Sequence, residues 1–476
     1  MVSIKILKLV SLFSGAGGLD WGFVNSGAYK VIFANDILYS AMKTYSQNFG
    51  LRLDVCRSGN GGVADALPGT ALACDVEHAD FTPLKDVGVD VVVGGPPCQD
   101  FSIVRGPEWD RRGIEVKRGR LYAHFVRALA VLQPKAFLFE NVPGLVSANK
   151  GLAYKVILED LSNLSIRWDE VRKIVGSSAL NARVEGYHIL LSEVLDLSHF
   201  GVPQRRNRLI IIGIRKDLVR GIDKLWEVKT YFLKKLKEKE GLLPKYPLTP
   251  IEVFEGRRLD ELGNVYREVV KKWEGVWDEV GTERARRWKS EVWDRLTFDV
   301  VRDYITANKI VLSDGEELEE ALKQHEEVLK ELGYYGTPVS SLEPPDGTNE
   351  VPKEGQLVVE RMRRIPFDEN HEFVEGTKWE VVGKGISLVY RRLHPLKPAY
   401  TIVAYGGGGT YGYHYDRDRT ILTLRERARL QTFPDSFLFS GSKKEVRAQI
   451  GEAVPYLAAK RLAEALAEVL TIIEEL

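Results

Sequence analysis

One cysteine, a few strand-end acids and a pair of arginines carry most of the chemistry this chain can do. Cys98 follows an apolar, β-branched run over 89–93, two glycines and two prolines, so a buried strand stops and the chain turns in a fixed direction. A thiol on such a turn is placed to attack. Only a few per cent of it is thiolate near neutrality, yet sulfur is a strong nucleophile and a modest electropositive setting activates it. The commoner fate of a lone cysteine is burial as an inert hydrophobe; the prolines before Cys98 and polar Gln99 and Asp100 after it argue for exposure. Glu140 and Asn141 end a second strand pattern over 136–139. Taken alone, Glu140 is an ordinary strand-end carboxylate, but open α/β sheets bind ligands at the carboxyl ends of their strands, so it can share a pocket with Cys98. Arg206 and Arg208 alternate along an extended segment that starts near Gln204, which predicts a common side suited to phosphate or a base carbonyl.

The elements that must position these groups follow an α/β rhythm. Residues 5–13 form a strand pattern that runs straight into Ser14, Gly15, Ala16, Gly17 and Gly18, with Leu19 and Asp20 opening a helix. A second strand over 31–34 ends in Asn35 and Asp36, where doubly wound sheets place an acid on ribose hydroxyls. Asp20 replaces the third glycine of a dinucleotide fingerprint, which disfavours a pyrophosphate cofactor. A glycine loop alone is also what any tight strand-to-helix turn looks like. Asp75 offers a further acid, suited to an adenine amino group. The expected fold class is therefore α/β, a doubly wound Rossmann-like sheet.

Composition narrows the partners. With 476 residues, 44% hydrophobic and 28% charged, the chain has room for two domains. Lys+Arg and Asp+Glu balance at 67 each, so any surface for a polyanion must be local. No segment approaches the ~18–20 apolar residues of a membrane span and no signal peptide opens the chain, which predicts a cytoplasmic protein with no membrane partner. The three cysteines, Cys56, Cys74 and Cys98, show no paired metal-ligand spacing. Neither a disulfide framework nor a metal site is expected, and Cys98 is read as free to react.

Taken in this order, the segments resemble the DNA (cytosine-5) methyltransferase family over residues 1–215 and about the last 85. The family's cofactor loop matches Phe13, Ser14, Gly15, Gly17, Gly18 and Leu19, and its ribose and adenine acids match Asp36 and Asp75. The nucleophile motif is Pro97-Cys98-Gln99, the Glu-Asn-Val motif is Glu140-Asn141-Val142, and the Gln-x-Arg-x-Arg motif is Gln204, Arg206 and Arg208. Residues 422–435 resemble the support of the family's recognition domain, and 449–455 its last cofactor motif. The resemblance implies S-adenosylmethionine as cofactor, with Ile37, Val76, Pro96, Leu121, Glu452 and Val454 completing its site. Three departures stand out: Glu452 where the family has Asn, Ile37 where an aromatic residue often stacks on adenine, and a long stretch over 51–73.

The resemblance also implies a mechanism. The Cys98 thiolate adds to C6 of a cytosine flipped out of the duplex, Glu140 holds its N3 and exocyclic amine, and Arg206 binds O2 with Arg208 beside it. Residues 100–120, including Arg105, Arg111 and Arg112, resemble the family's mobile catalytic loop, and Gln99, Ser102 and Gln204 also face DNA on this reading. After 215 the α/β rhythm disappears. Residues 215–444 are expected to be an inserted target recognition domain between catalytic parts 1–214 and 445–476, with Arg284 and Arg287 contacting DNA. Mixed-charge helix faces are the commoner explanation of such arginines. The segment 455–476 is an amphipathic helix with Leu462, Leu466, Val469, Leu470 and Ile473 on one face, expected to pack back onto the first domain. The partners implied are double-stranded DNA and a cognate restriction endonuclease, and the family resemblance implies a monomer. A cytosine-5 methyltransferase for tRNA and a non-catalytic DNA-binding protein that keeps the fold are the rival readings.

Overall fold

The computed structural model describes residues 6–56, 64–97, 120–164, 185–381, 389–405, 409–410 and 412–475. The chain divides into two compact units: residues 1–196, 207–239 and 456–476 form the first, and 197–206 with 240–455 the second.

The first unit is built on an eight-stranded sheet. Its strands are β1 (Leu7–Leu12), β2 (Tyr29–Asp36), β3 (Arg52–Val55), β5 (Thr70–Ala73), β7 (Val91–Gly94), β8 (Ala136–Asn141), β9 (Tyr187–Asp196) and β10 (Asn207–Arg215), in the order β3-β5-β2-β1-β7-β8-β10-β9. A two-stranded pair, β4 (Ala64–Asp65) and β6 (Ala79–Asp80), lies apart from it. Neighbouring strands from β3 to β8 run parallel, and β10 runs antiparallel to both β8 and β9. The central strands are buried on both faces: Leu9, Val10, Val91–Val93 and Leu209–Ile212 are fully inaccessible. Strands covered on both sides need continuous apolar runs, which is how these read in the sequence. The chain builds outward from β1 to β2 and β5, then returns to place β7 on the other side of β1. In doubly wound sheets ligands bind at such a reversal, here at the carboxyl ends of β1 and β7.

Helices α1 (Gly18–Asn25), α2 (Tyr39–Phe49), α3 (Arg120–Leu132), α4 (Leu152–Ser162) and α5 (Ile222–Glu240) belong to this unit. The last helix, Tyr456–Glu475, packs on α1 and buries Leu462, Leu466, Val469 and Leu470. The Tyr29 hydroxyl on β2 donates to its Ala463 carbonyl at 3.0 Å. Lys239 on α5 pairs with Glu464 and Glu468. Loss of the α/β rhythm at 215 groups α5 with the middle segment; packing places most of it, through Lys239, in the first unit.

One expectation is overturned. Cys56 and Cys74 form a disulfide, with Cα atoms 5.2 Å apart. Both residues follow directly on paired positions, Val55 opposite Ala73, so strand register brings together two cysteines that lie 18 apart in the chain. That pairing uses up two of the three cysteines. Cys98 lies outside the described residues.

The second unit is mostly short helices around aromatic and polar cores. Trp277, Trp288, Trp293, Phe298, Phe367 and Phe373 form one cluster. The helix Leu424–Leu430 is buried along its whole length, charged residues included. Arg425 pairs with Asp346 at 2.9 Å and Arg429 with Asp435 at 2.5 Å, so these two buried guanidinium groups have acid partners, while Arg427 donates to the Val403 carbonyl at 2.6 Å. Among the described residues no helix is long and apolar enough to cross a membrane.

Candidate active site

At the end of β1 the backbone leaves the strand through Phe13, at a positive φ of 54°, and passes Gly15 and Gly17 before α1 begins at Gly18. Gly17, at φ 94°, could not carry a side chain: a Cβ would lie 2.6 Å from the Phe49 ring and 2.9 Å from Tyr45. The loop is held from the next strand. The Gly15 N–H donates to Asp36 Oδ2 at 2.9 Å, and the Leu38 N–H donates to Asp36 Oδ1 at 2.9 Å. Burial holds the Asp36 carboxyl above its ordinary range, against the lowering effect of these N–H donors. Ile37 beside it is 65% exposed, an apolar surface next to the acid.

Asp75 stands one strand further on. Its Oδ1 accepts from the Glu77 N–H at 3.0 Å, and Val76 behind it is buried. The two acids are linked through Asn35, whose side-chain amide donates to the carbonyls of Leu72 (3.0 Å) and Cys74 (2.8 Å). The Cys74 N–H in turn donates to the Asp36 carbonyl at 2.9 Å. The result is two carboxylates on adjacent strand ends with an exposed aliphatic side chain beside the first. This arrangement fits a nucleoside, with acceptors for hydroxyl and amino donors and an apolar face for a base.

Asp20 is a residue whose place the sequence did not reveal. It is completely buried and accepts from the Ser11 hydroxyl at 2.8 Å. Burial pushes its carboxyl up to about 7, with Ser11 and Tyr45 opposing that shift. It stands behind the loop as part of its support.

On the other side of the reversal, β7 ends at Gly94 and β8 at Asn141. Glu140 pairs with Arg208 on β10, Nε to Oε1 at 2.9 Å, and both side chains are largely buried, at 13% and 14% exposure. The carboxylate fits because the neighbouring residue is Gly95: a Cβ there would stand 2.7 Å from Glu140 Oε2. Asn141 donates to the Pro96 carbonyl at 2.9 Å and accepts from the Val142 N–H at 2.9 Å. The turn that leads into Cys98 is thus tied to the strand that carries Glu140. Pro96 is buried and Leu121, near the start of α3, partly so.

Two expectations change in the second unit. Arg206 does not offer its guanidinium to a base: it donates to the carbonyls of Ile402 (3.1 Å), Gly451 (2.9 Å) and Ala453 (3.0 Å) and is 1% exposed. Strand β10 begins at Asn207, so strand alternation does not bind Arg206 to the face of Arg208. Gln204 does not reach outward either. Its amide donates to Leu430 O and Gln431 Oε1 and accepts from the Ile402 N–H, which uses both ends of a fully buried side chain. Arg284 pairs with Glu369 at 2.8 Å and also with Glu372. Arg287 is exposed, 3.6 Å from Glu283. Glu452 is exposed at the end of the helix Lys443–Glu452, and Val454 is buried. Gln99, Ser102, Arg105, Arg111 and Arg112, like Cys98, lie outside the described residues.

The family model described as C-5 cytosine-specific DNA methylase matches residues 7–468. The chain belongs to this family. Among curated relatives, the DNA (cytosine-5-)-methyltransferase M.ApeKI of Aeropyrum pernix is 68% identical over 97% of this methylase and 98% of its own length. The type II methyltransferase M.NgoFVII of Neisseria gonorrhoeae is 30% identical over 96% and 86%, and M.BbvI of Brevibacillus brevis 29% over 97% and 91%. Among solved structures, a prophage-encoded DNA modification methyltransferase from E. coli superposes with a TM-score of 0.53 at 21% identity, covering 98% of this methylase and 99% of that chain. That likeness establishes the fold, an α/β architecture built on a largely parallel sheet.

Proposed function

We propose that this methylase transfers a methyl group from S-adenosylmethionine to C5 of a cytosine flipped out of double-stranded DNA, at a short specific sequence, through a covalent adduct on Cys98. The observation that carries the reading is the fixed Glu140–Arg208 pair, tied through Asn141 to the turn entering Cys98. C5 of cytosine is too poor a nucleophile to take a methyl group unaided. Addition of the Cys98 thiolate to C6 gives it enamine character. Glu140 spans N3 and the exocyclic amine and stabilises the charge that develops as sulfur adds. Arg208, in place of Arg206, takes the base carbonyl O2 while it orients Glu140. When the C5 proton leaves, the sulfur is eliminated and Cys98 is regenerated.

The cofactor supplies a methyl carbon made electrophilic by a sulfonium. Asp36 would accept from the ribose hydroxyls, Asp75 from the adenine amino group, and Ile37 would cover one face of the base, apolar packing in place of aromatic stacking. The loop from Phe13 to Leu19, with Pro96, Leu121, Glu452 and Val454, completes the site on this reading. Residues 215–444, less the 215–239 stretch that packs in the first unit, are the recognition part, and the basic residues of 100–120 close over the DNA on this reading. Gln99, Ser102 and Arg287 remain assigned to the DNA. On this reading the enzyme works as a cytoplasmic monomer, and the type II names of its relatives support a setting in which its product protects sites from a partner endonuclease.

The test is methyl transfer from labelled S-adenosylmethionine to unmethylated plasmid, followed by bisulfite sequencing. Methylcytosine at one short recurring sequence is expected; label in unmodified tRNA with none in DNA would refute the substrate assignment. Cys98→Ser is expected to bind DNA and lose turnover by several orders of magnitude. Full activity in that variant removes the adduct from the mechanism.

A further inference from the structure

We infer that the Cys56–Cys74 disulfide is a positioning pair for the cofactor site, so that its reduction weakens cofactor binding while the fold persists. Strand β3 is four residues long and lies at the outer edge of the sheet, where β5 is its strand neighbour among the described residues. The disulfide adds a covalent closure at its carboxyl end, beside the hydrogen bond from the Cys56 N–H to the Ala73 carbonyl at 3.2 Å. What it fastens on the β5 side is the segment that carries the cofactor acids. Cys74 is 2% exposed and directly precedes Asp75. Its N–H donates to the carbonyl of Asp36, and its own carbonyl accepts from Asn35. Displacing Cys74 therefore moves Asp75 through one peptide bond and loosens Asp36 through one hydrogen bond. The long stretch over 51–73, which the sequence left without a role, brings the edge strand and the first cysteine to this point.

The chemistry is a two-electron exchange. A dithiol attacks one sulfur, the S–S bond breaks, and a second thiolate of the same reagent displaces the mixed disulfide; Cys56 and Cys74 end as thiols and the reagent as a cyclic disulfide. Because binding and bond closure are linked, the coupling is reciprocal: whatever factor the closed pair adds to cofactor affinity, bound cofactor adds to the resistance of the pair to reduction.

The inference rests on the cofactor reading proposed above, and the experiment separates the two. Free thiols are counted by alkylation in denaturant and mass spectrometry on protein purified without reductant. One is expected, rising to three after dithiothreitol; three from the start overturns the inference. S-adenosylhomocysteine affinity is then measured by calorimetry at 25 °C for the oxidised protein, the reduced protein and Cys56→Ser/Cys74→Ser, with circular dichroism to verify folding. Reduction should weaken binding about fivefold or more, the double variant should match the reduced protein and ignore dithiol, and saturating ligand should protect the pair by the same factor. Equal affinity in oxidised and reduced protein makes the pair merely structural and overturns the inference alone. Binding by neither form overturns the cofactor reading, and the inference falls with it.

Discussion

Glu140 and Arg208 show how a single pair divides catalysis from stability. Arg208→Ala leaves a mostly buried carboxylate without its cation and removes the donor proposed for O2, so kcat is expected to fall about 100-fold at a temperature where the variant is still folded, although its melting temperature drops too. Arg206→Ala should do the reverse in kind. It strips three buried carbonyls of a charged donor, a loss of about 3 kcal/mol or more, and should lower the melting temperature sharply. Paired melting curves and turnover measurements decide between the two roles. Asp20 gives a pH prediction. Its folded carboxyl is raised from 3.8 to about 7, so stability is fullest below the unfolded value and declines as pH rises through that window, by a few kcal/mol at most. Asp20→Asn is expected to flatten this dependence and to melt higher than wild type at pH 8; identical pH profiles would contradict it. At this scale residue type announced the strand-end groups Glu140, Arg208, Asp36 and Asp75. It did not announce the buried roles of Gln204 and Arg206 or the pairing of the two cysteines, because which carbonyl or sulfur lies opposite a side chain is fixed by distant chain segments.

Secondary elements were the most legible level. Buried strands read as unbroken apolar runs, and glycines and prolines mark where β1 and β7 end, so the sheet that presents Asp36 and Glu140 followed from local pattern. The short edge strand β3 and the pair β4–β6 were not legible, being four and two residues long with little apolar patterning. The turn after β7 carries its own prediction. Gly95→Ala would drive a Cβ against Glu140 Oε2, and the misplaced carboxylate should cost about 100-fold in kcat/KM with the fold intact. An active Gly95→Ala enzyme would mean that the carboxylate is free to move aside.

Across the whole molecule, the chain passes between its two units four times, at 196/197, 206/207, 239/240 and 455/456. The sequence predicted an insertion of this kind from the loss of α/β rhythm and the amphipathic return helix, while the exact breaks depend on which residues pack together. The last helix buries Leu457, Leu462, Leu466 and Val469 in the first unit. At about 2 kcal/mol for each side chain, their loss is of the order of a protein's entire stability. Ending the chain at Pro455 is therefore expected to give insoluble or unfolded protein, and a soluble product with the wild-type melting curve would count against this packing.

The same helix sets a clock on synthesis. A ribosome makes Tyr456–Glu475 only after the entire second unit has emerged, so α1 waits uncovered through more than two hundred residues of translation. A message broken anywhere upstream yields a chain whose cofactor loop opens a helix with no partner. Only ribosomes that have read past the second unit release a chain able to mark DNA.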